Sequence, residues 1–218
     1  MAKISLIHAT RGRPEMVASC HEGWLATASD KSSIEYIISV DSDDPKIAYV
    51  PGAKTIIGEP LGSTPAYNRG LYASSGDVVI AVMDDLLPPA GWDKVVAKRF
   101  GDLSLPLLLH VSDGTGVNPT KPWLLTVQIG TRAWFKKAGY MFFPEYRHLF
   151  ADEDLSRKAY REKSVIESTD ICFKHNWVGD HFDETASANY APTKWREGYE
   201  LLCRRHAEGY PDKPELWN

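Results

Sequence analysis

Apolar positions in the first half of the chain follow two alternating rhythms. Residues 3–8, 35–40 and 78–83 are short runs rich in Ile and Val, the length and composition of strands buried in a sheet. Between the first two runs, Met16, Cys20, Trp24 and Ala28 recur at helical spacing behind Pro14. Proline suits the first turn of a helix, so residues 14–28 are predicted as an amphipathic helix packed on the first strand. Residues 54–57 read as a short third strand. Residues 64–74, opened by Ser63-Thr64-Pro65, and residues 92–100, entered through Pro88-Pro89-Ala90-Gly91, read as helices.

This alternation predicts βαβ units and an α/β fold with a mostly parallel central sheet flanked by helices. The second half is less regular. Residues 107–111 and 124–129 are strand-like, and residues 112–122, with Gly114, Gly116, Pro119 and Pro122, look like a mobile loop. A helix over 152–162 carries three acidic residues in its first turn, and a strand over 165–174 follows. Trp195, Tyr199, Leu202, Cys203 and His206 mark one face of a last helix.

Length limits this to one domain. A chain of 218 residues has room for one substantial core with an appendage, divided here as a catalytic domain over 1–192 (halves 1–100 and 101–192) and a C-terminal helix and tail over 193–218. A hydrophobic fraction of 43% and a charged fraction of 25% are ordinary for a globular protein and exclude extensive disorder. The net charge of -4 provides no global attraction to nucleic acid or anionic membrane. Cys20, Cys172 and Cys203 have no zinc-ligand spacing and read as free thiols of a reducing compartment. The N-terminus runs into a strand without a signal-peptide core, and no apolar run reaches the ~20 residues that span a bilayer. A cytoplasmic protein without membrane insertion is expected.

Candidate chemistry gathers where the strands end. The run 78–83 stops on Asp84 and Asp85; residues 35–40 stop on Asp41, followed by Asp43 and Asp44; Thr10, Arg11 and Arg13 follow the first strand. Parallel strands send these ends to one edge, where open α/β sheets bind ligands. Two adjacent carboxylates repel unless a cation intervenes, and a divalent ion with phosphate as a further ligand would satisfy them. Each cluster also has a structural explanation. Aspartates favour turns, and acids in a first helical turn, as at Asp152, Glu153 and Asp154, suit the macrodipole. Their coincidence on one edge favours a nucleotide site, and cations at a helix start, as at Arg11 and Arg13, call for a bound anion. His175, ending the 165–174 strand, is a candidate metal ligand among several other histidines. Trp123, Trp134, Trp177 and Trp195 suit either stacking on sugars and bases or the core.

The ordered set of motifs resembles the GT-A glycosyltransferases of the family 2 type. It comprises Ile4 to Pro14 with Thr10-Arg11-Gly12-Arg13-Pro14, Ile37-Ile38-Ser39-Val40-Asp41, Tyr67-Asn68-Arg69-Gly70, Val79 to Asp85, Pro88 to Trp92, Lys137-Ala138-Gly139-Tyr140, and Asp152-Glu153-Asp154-Leu155 with Arg157. The resemblance implies that Thr10, Arg11, Arg13, Asp41, Asp43, Arg69 and Asp84 line a nucleotide-sugar pocket. It makes Asp85, with His175, the ligand of Mn2+ or Mg2+ and Asp152 the general base. Met83 departs from the pattern, since that position is often acidic or polar. A nucleoside-diphosphate sugar, with a UDP-sugar favoured, is the implied donor, and inversion the implied outcome.

Rival readings are a sugar nucleotidyltransferase and a non-catalytic nucleotide-sugar or glycan binding module. The former usually opens with a glycine-rich loop, whereas residues 9–13 hold one glycine, and the Gly-x-Gly-x-x-Gly turn of dinucleotide dehydrogenases is absent. The acceptor is open. A hydroxylated DNA base is one option, motivated by the 112–122 loop and the basic pairs Lys136-Lys137 and Arg204-Arg205.

Overall fold

The computed structural model describes residues 2–114, 121–175 and 191–217. One seven-stranded sheet runs in the order β3-β2-β1-β4-β7-β6-β8. Its strands are β1 (Ile4–Ala9), β2 (Ile34–Asp41), β3 (Lys54–Gly58), β4 (Val78–Val82), β6 (Leu108–Ser112), β7 (Ile129–Thr131) and β8 (Val165–Cys172). β1 pairs in parallel with β2 and β4, and β2 with β3. β7 lies antiparallel between β4 and β6, so β6, and with it the parallel β8, runs in the same direction as β4. Every strand but β7 therefore ends on one edge. β4 is central and buried at all five positions, which is why its sequence shows no alternation of apolar and polar residues.

Helices cover both faces. α1 (Pro14–Thr27) and α3 (Trp92–Phe100) pack Val17, Cys20, Trp24, Trp92 and Val96 against Ile4, Leu6, Ile38, Ile80 and Val82. α2 (Ser63–Tyr72), α4 (Arg132–Ala138), α5 (Ala151–Arg161) and α6 (Pro192–Glu208) place Leu71, Trp134, Phe135, Leu155, Ala159 and Leu201 with Ile7, Val79 and Ala81 on the other face. A small sheet of β5 (Leu86–Leu87) and β9 (Lys174–His175) sits outside these layers.

Three expectations need correction. The buried face of α1 is Val17, Cys20, His21 and Trp24, while Met16 is exposed; the stripe takes in His21, whose ring packs edge-on against Tyr36 at 4.7 Å. Of 124–129 only Ile129 joins a strand, since Leu125 donates its N–H to the Ser156 hydroxyl instead of to a ladder. On α6 the buried residues are Leu201, Leu202 and Arg205, whereas Trp195, Tyr199 and Cys203 face outward. Arg205 supplies the reason. Its guanidinium is fully buried and bonds the Asp154 carboxylate, so α6 turns its polar anchor inward. Gly139 ends α4 at φ +88, where a Cβ would collide with the Lys213 carbonyl, and the C-terminal segment packs into that space.

Breaking the buried Asp154–Arg205 pair leaves one charge without a partner, which costs about 3–5 kcal/mol. Arg205→Ala should lose that much stability in urea titration, and an unchanged midpoint would contradict the anchoring role.

Candidate functional site

Residues Met83 to Leu86 form a turn closed by the Leu86 N–H on the Met83 carbonyl at 3.2 Å. Asp84 and Asp85 occupy its two central positions and diverge. Asp84 points inward, with Oδ1 accepting from His8 Nε2 at 2.8 Å and from Thr10 Oγ1 at 3.4 Å, and Oδ2 from Arg13 at 3.0 Å. His8 is fully buried, and its Nδ1 meets the Tyr36 hydroxyl at 2.8 Å. The ring is therefore bonded at both nitrogens, to Asp84 on one side and to Tyr36 on the other. Burial alone pushes the Asp84 carboxyl up, but His8 and Arg13 more than offset it and hold it below its usual value. The expected repulsion between the two carboxylates is thus relieved for Asp84 by protein cations and donors.

Asp85 faces His175, with Oδ1 3.1 Å from Nε2. The two are 90 residues apart in sequence and meet because β9 folds back from the end of β8 and pairs Leu86 with His175. The Trp24 indole holds the Leu86 carbonyl at 2.9 Å, and the Asp113 carbonyl holds the His175 N–H at 2.8 Å. The hydrogen bond from His175 to Asp85 raises the imidazole above its ordinary range against the effect of burial, with the charges of Asp85 and Asp113 adding. Neighbouring ligands of an octahedral dication at about 2.1 Å stand about 3.0 Å apart. The observed spacing therefore fits a carboxylate and an imidazole sharing one Mg2+ or Mn2+. Among the described residues no group of three His, Cys, Asp or Glu could hold a metal, so water or a ligand phosphate would complete such a shell.

Beside this turn lies an alternating charge network. Arg69 Nη2 reaches Asp41 at 3.2 Å and the Val40 carbonyl at 2.8 Å, and its Nε reaches the Ser39 hydroxyl at 3.1 Å. Arg11 lies 3.6 Å from Asp41 and forms a two-pronged pair with Asp43. Burial raises the Asp41 carboxyl despite both arginines, whereas the hydrogen bonds from Arg11 lower exposed Asp43. Asp44 accepts the N–H groups of Gly12 at 3.1 and 3.0 Å and of Lys46 at 2.8 Å, which pins the 10–13 loop against the end of β2.

Asp152 opens α5 at the same edge. α5 joins β8 through residues 162–164, and the Ser164 carbonyl accepts from Leu108, the first residue of β6; that turn lies at the opposite edge. The helix packs back across the sheet through Leu155 and Ala159, so its N-terminus reaches the carboxyl ends of the strands. A bond of 2.6 Å between Ser63 Oγ and His148 Nδ1 ties the segment before α5 to the start of α2. The three acids of the first turn differ in their surroundings. Glu153 pairs with Lys121 and Arg157, and Asp154 with Arg205 and Tyr146. Half-buried Asp152 accepts only its neighbour's backbone N–H, at 2.9 Å, among the bonds of the described residues, and burial raises its carboxyl.

Sequence reasoning passed over His8, Tyr36 and Asp113, and it placed Asp44 in the acidic cluster without its role of holding the Gly12 N–H. The position of His8 on the inward face of β1, in step with Ile4 and Leu6, was the available signal: an imidazole in that row needs a partner. Trp134 is core, Trp123 lies under Arg157, Trp195 is exposed, and Trp177 falls outside the described residues, as do residues 115–120 of the expected loop. The basic pairs are largely engaged, with Lys137 on Glu162, Arg204 on Glu145 and Arg205 on Asp154. No helix among the described residues is long and apolar enough to cross a membrane.

No family model and no curated protein matches the sequence. Solved structures match its fold. TarS of S. aureus in complex with UDP-GlcNAc superposes with a TM-score of 0.67 at 16% identity over 93% of this chain and 66% of that one, and the chain spans 39% of a longer TarS structure. Mannosyltransferase PcManGT of Pyrobaculum calidifontis, with GDP-Man and Mn2+, gives 0.60 at 13% identity over 99% of this chain and 68% of that one. Glucosyl-3-phosphoglycerate synthase of Mycobacterium tuberculosis, with Mg2+ and UDP, gives 0.63 at 15% identity over 97% and 81%. The chain has the fold of the GT-A glycosyltransferases.

Because the Asp84 carboxyl is lowered in the folded protein, its stabilising contribution is present above the unfolded carboxyl pKa of about 3.9 and fades as pH falls through the lower folded value. Asp84→Asn should cost about 2 kcal/mol at pH 7, and urea titrations should show the gap to the parent closing below about pH 4. A gap independent of pH would contradict the charge-based role.

Proposed function

We propose that this chain is a metal-dependent glycosyltransferase that moves a sugar from a nucleoside-diphosphate sugar, a UDP-sugar being favoured, to an acceptor hydroxyl. The observation that carries this reading is the Asp85–His175 pair at the carboxyl rim, 3.1 Å apart, where β1, β2 and β4 also end. Asp85 and His175 would hold Mn2+ or Mg2+, the ions named with two of the fold's relatives; such an ion supplies Lewis-acid stabilisation of a departing diphosphate. The 1–100 half then supplies most of the donor contacts, and Asp152 of the 101–192 half serves the acceptor.

The chain's own side chains then divide the work. Arg11 and Arg13 neutralise donor phosphate charge, as guanidinium forks do. Thr10, Asp41 and Asp43 bond the nucleoside, with Arg69 fixing Asp41. Asp84, held from behind by His8, presents a fixed carboxylate toward the ribose or sugar. Asp152 accepts the proton of the attacking hydroxyl, and a carboxyl raised by burial is a better base for that step. One base and one displacement give inversion. A pure binding module has no use for a carboxyl raised by burial at the rim, and this favours the enzyme. Pairing of Lys137, Arg204 and Arg205 with acidic partners offsets part of the basic charge that motivated a DNA acceptor.

Thermal shift with UDP and Mn2+ tests the donor site. Mn2+ should add to the UDP-induced rise in the parent and add nothing in Asp85→Ala; a preserved increment would contradict the assignment. Asp152→Asn should keep the full shift yet slow sugar release from UDP-sugars by about 10²–10⁴-fold.

A further inference from the structure

Three aromatic rings form a corner at the start of α5. Trp195 and Tyr199 on α6 stack at 5.3 Å with 15° between their planes, and they are 49% and 47% exposed. Trp24, Trp92 and Trp134, by contrast, are completely buried. Phe150 meets Trp195 edge-on at 5.3 Å and Tyr199 at 5.9 Å. Phe150 adopts φ +68, a conformation that a bulky L-residue enters only where its surroundings hold it. Gly198 permits the approach, because a Cβ there would stand 2.9 Å from the Phe150 ring and 3.1 Å from the Leu149 carbonyl. The exposed Trp195 and Tyr199 rings thus rest on Phe150, a strained residue that stands two positions before Asp152. Two residues of chain span at most about 7 Å.

We propose that this corner is the acceptor subsite and that the acceptor is an uncharged saccharide, one sugar ring lying against the exposed Trp195–Tyr199 surface. The inference rests on the transferase reading, which makes Asp152 the base. The negative π face of an aromatic ring attracts the polarised C–H groups on the apolar face of a pyranose, leaving the hydroxyls at its edge free to turn toward Asp152. Charge favours a neutral ligand over a nucleic acid. Exposed Lys194 and Arg196 flank Trp195, but Glu197 and Glu200 on the same helix match them, and Arg204 is taken by Glu145. Binding of a phosphodiester strand needs an excess of cations, which is lacking here.

The test is binding of the full chain, with UDP and Mn2+ present, to an array of neutral oligosaccharides with single-stranded DNA spots included. Neutral glycans should bind, and Trp195→Ala and Tyr199→Ala should each weaken the best signal about tenfold while the UDP and Mn2+ thermal shift stays at the parent value. Trp195→Phe, which keeps a ring, should retain most of the binding and guards against a folding defect in the alanine variant. The subsite is overturned if the parent shows the UDP shift but binds no neutral glycan, or if the alanine variants bind as the parent does. It is equally overturned if salt-sensitive binding to the DNA spots depends on Trp195, or if light scattering shows that these rings hold a dimer together. A parent that binds glycans through Trp195 but shows no UDP shift would keep the saccharide site and refute the transferase reading instead.

Discussion

Two carboxylates emerge side by side from a central strand buried at all five positions, and their mutual repulsion has to be absorbed locally. The turn at residues 83–86 separates them. Asp84 turns back to the fully buried His8 and to Arg13, and Asp85 swings out to His175. Removing the inner support would leave a desolvated charge beneath the rim; removing the outer partner would leave Asp85 alone at its mouth. The remaining features of the edge are arranged around this division into an inner carboxylate held by His8 and Arg13 and an outer one paired with His175.

Distant pieces of chain are needed to maintain it. β9 returns His175 over the end of β4, and the Trp24 and Trp92 indoles tie β5 and α1 together beneath it through the Leu86 and Trp24 carbonyls. Arg69 threads from α2 to the end of β2. Asp44 fixes the loop carrying Arg11 and Arg13. On the far side of the rim, Asp154 and Arg205 dock α6 on α5, and Trp195 and Tyr199 of α6 meet Phe150 just before α5. Packing energy from the core is thereby spent on presenting charges at fixed positions, as preorganised sites require.

Much of this was legible in the sequence because a buried parallel strand has an unmistakable composition. β1, β2 and β4 were readable from Ile and Val runs, and the edge they share follows from parallel pairing alone, so Asp41, Asp84 and Asp85 could be placed together without coordinates. The strand β7 was misjudged in length because Leu125 and Val127 pack through their side chains and the Leu125 N–H goes to the Ser156 hydroxyl, so a regular ladder starts only at Ile129. The outward face of α6 was misread because aromatic residues at helical spacing look like core, and only the buried Arg205 reveals which side turns inward. His8 stayed hidden since its partners, Tyr36 and Asp84, lie 28 and 76 residues away; no local pattern encodes such a contact.

The central claim, that Asp85 and His175 together receive a dication when a nucleoside diphosphate is bound, can be read directly by NMR of the histidine rings. Adding substoichiometric Mn2+ to the UDP-saturated protein should broaden the His175 ring signals beyond detection while those of His206 on α6 persist, and Asp85→Ala should restore the His175 signals. Sharp His175 signals in the parent under saturating UDP and Mn2+ would contradict the account.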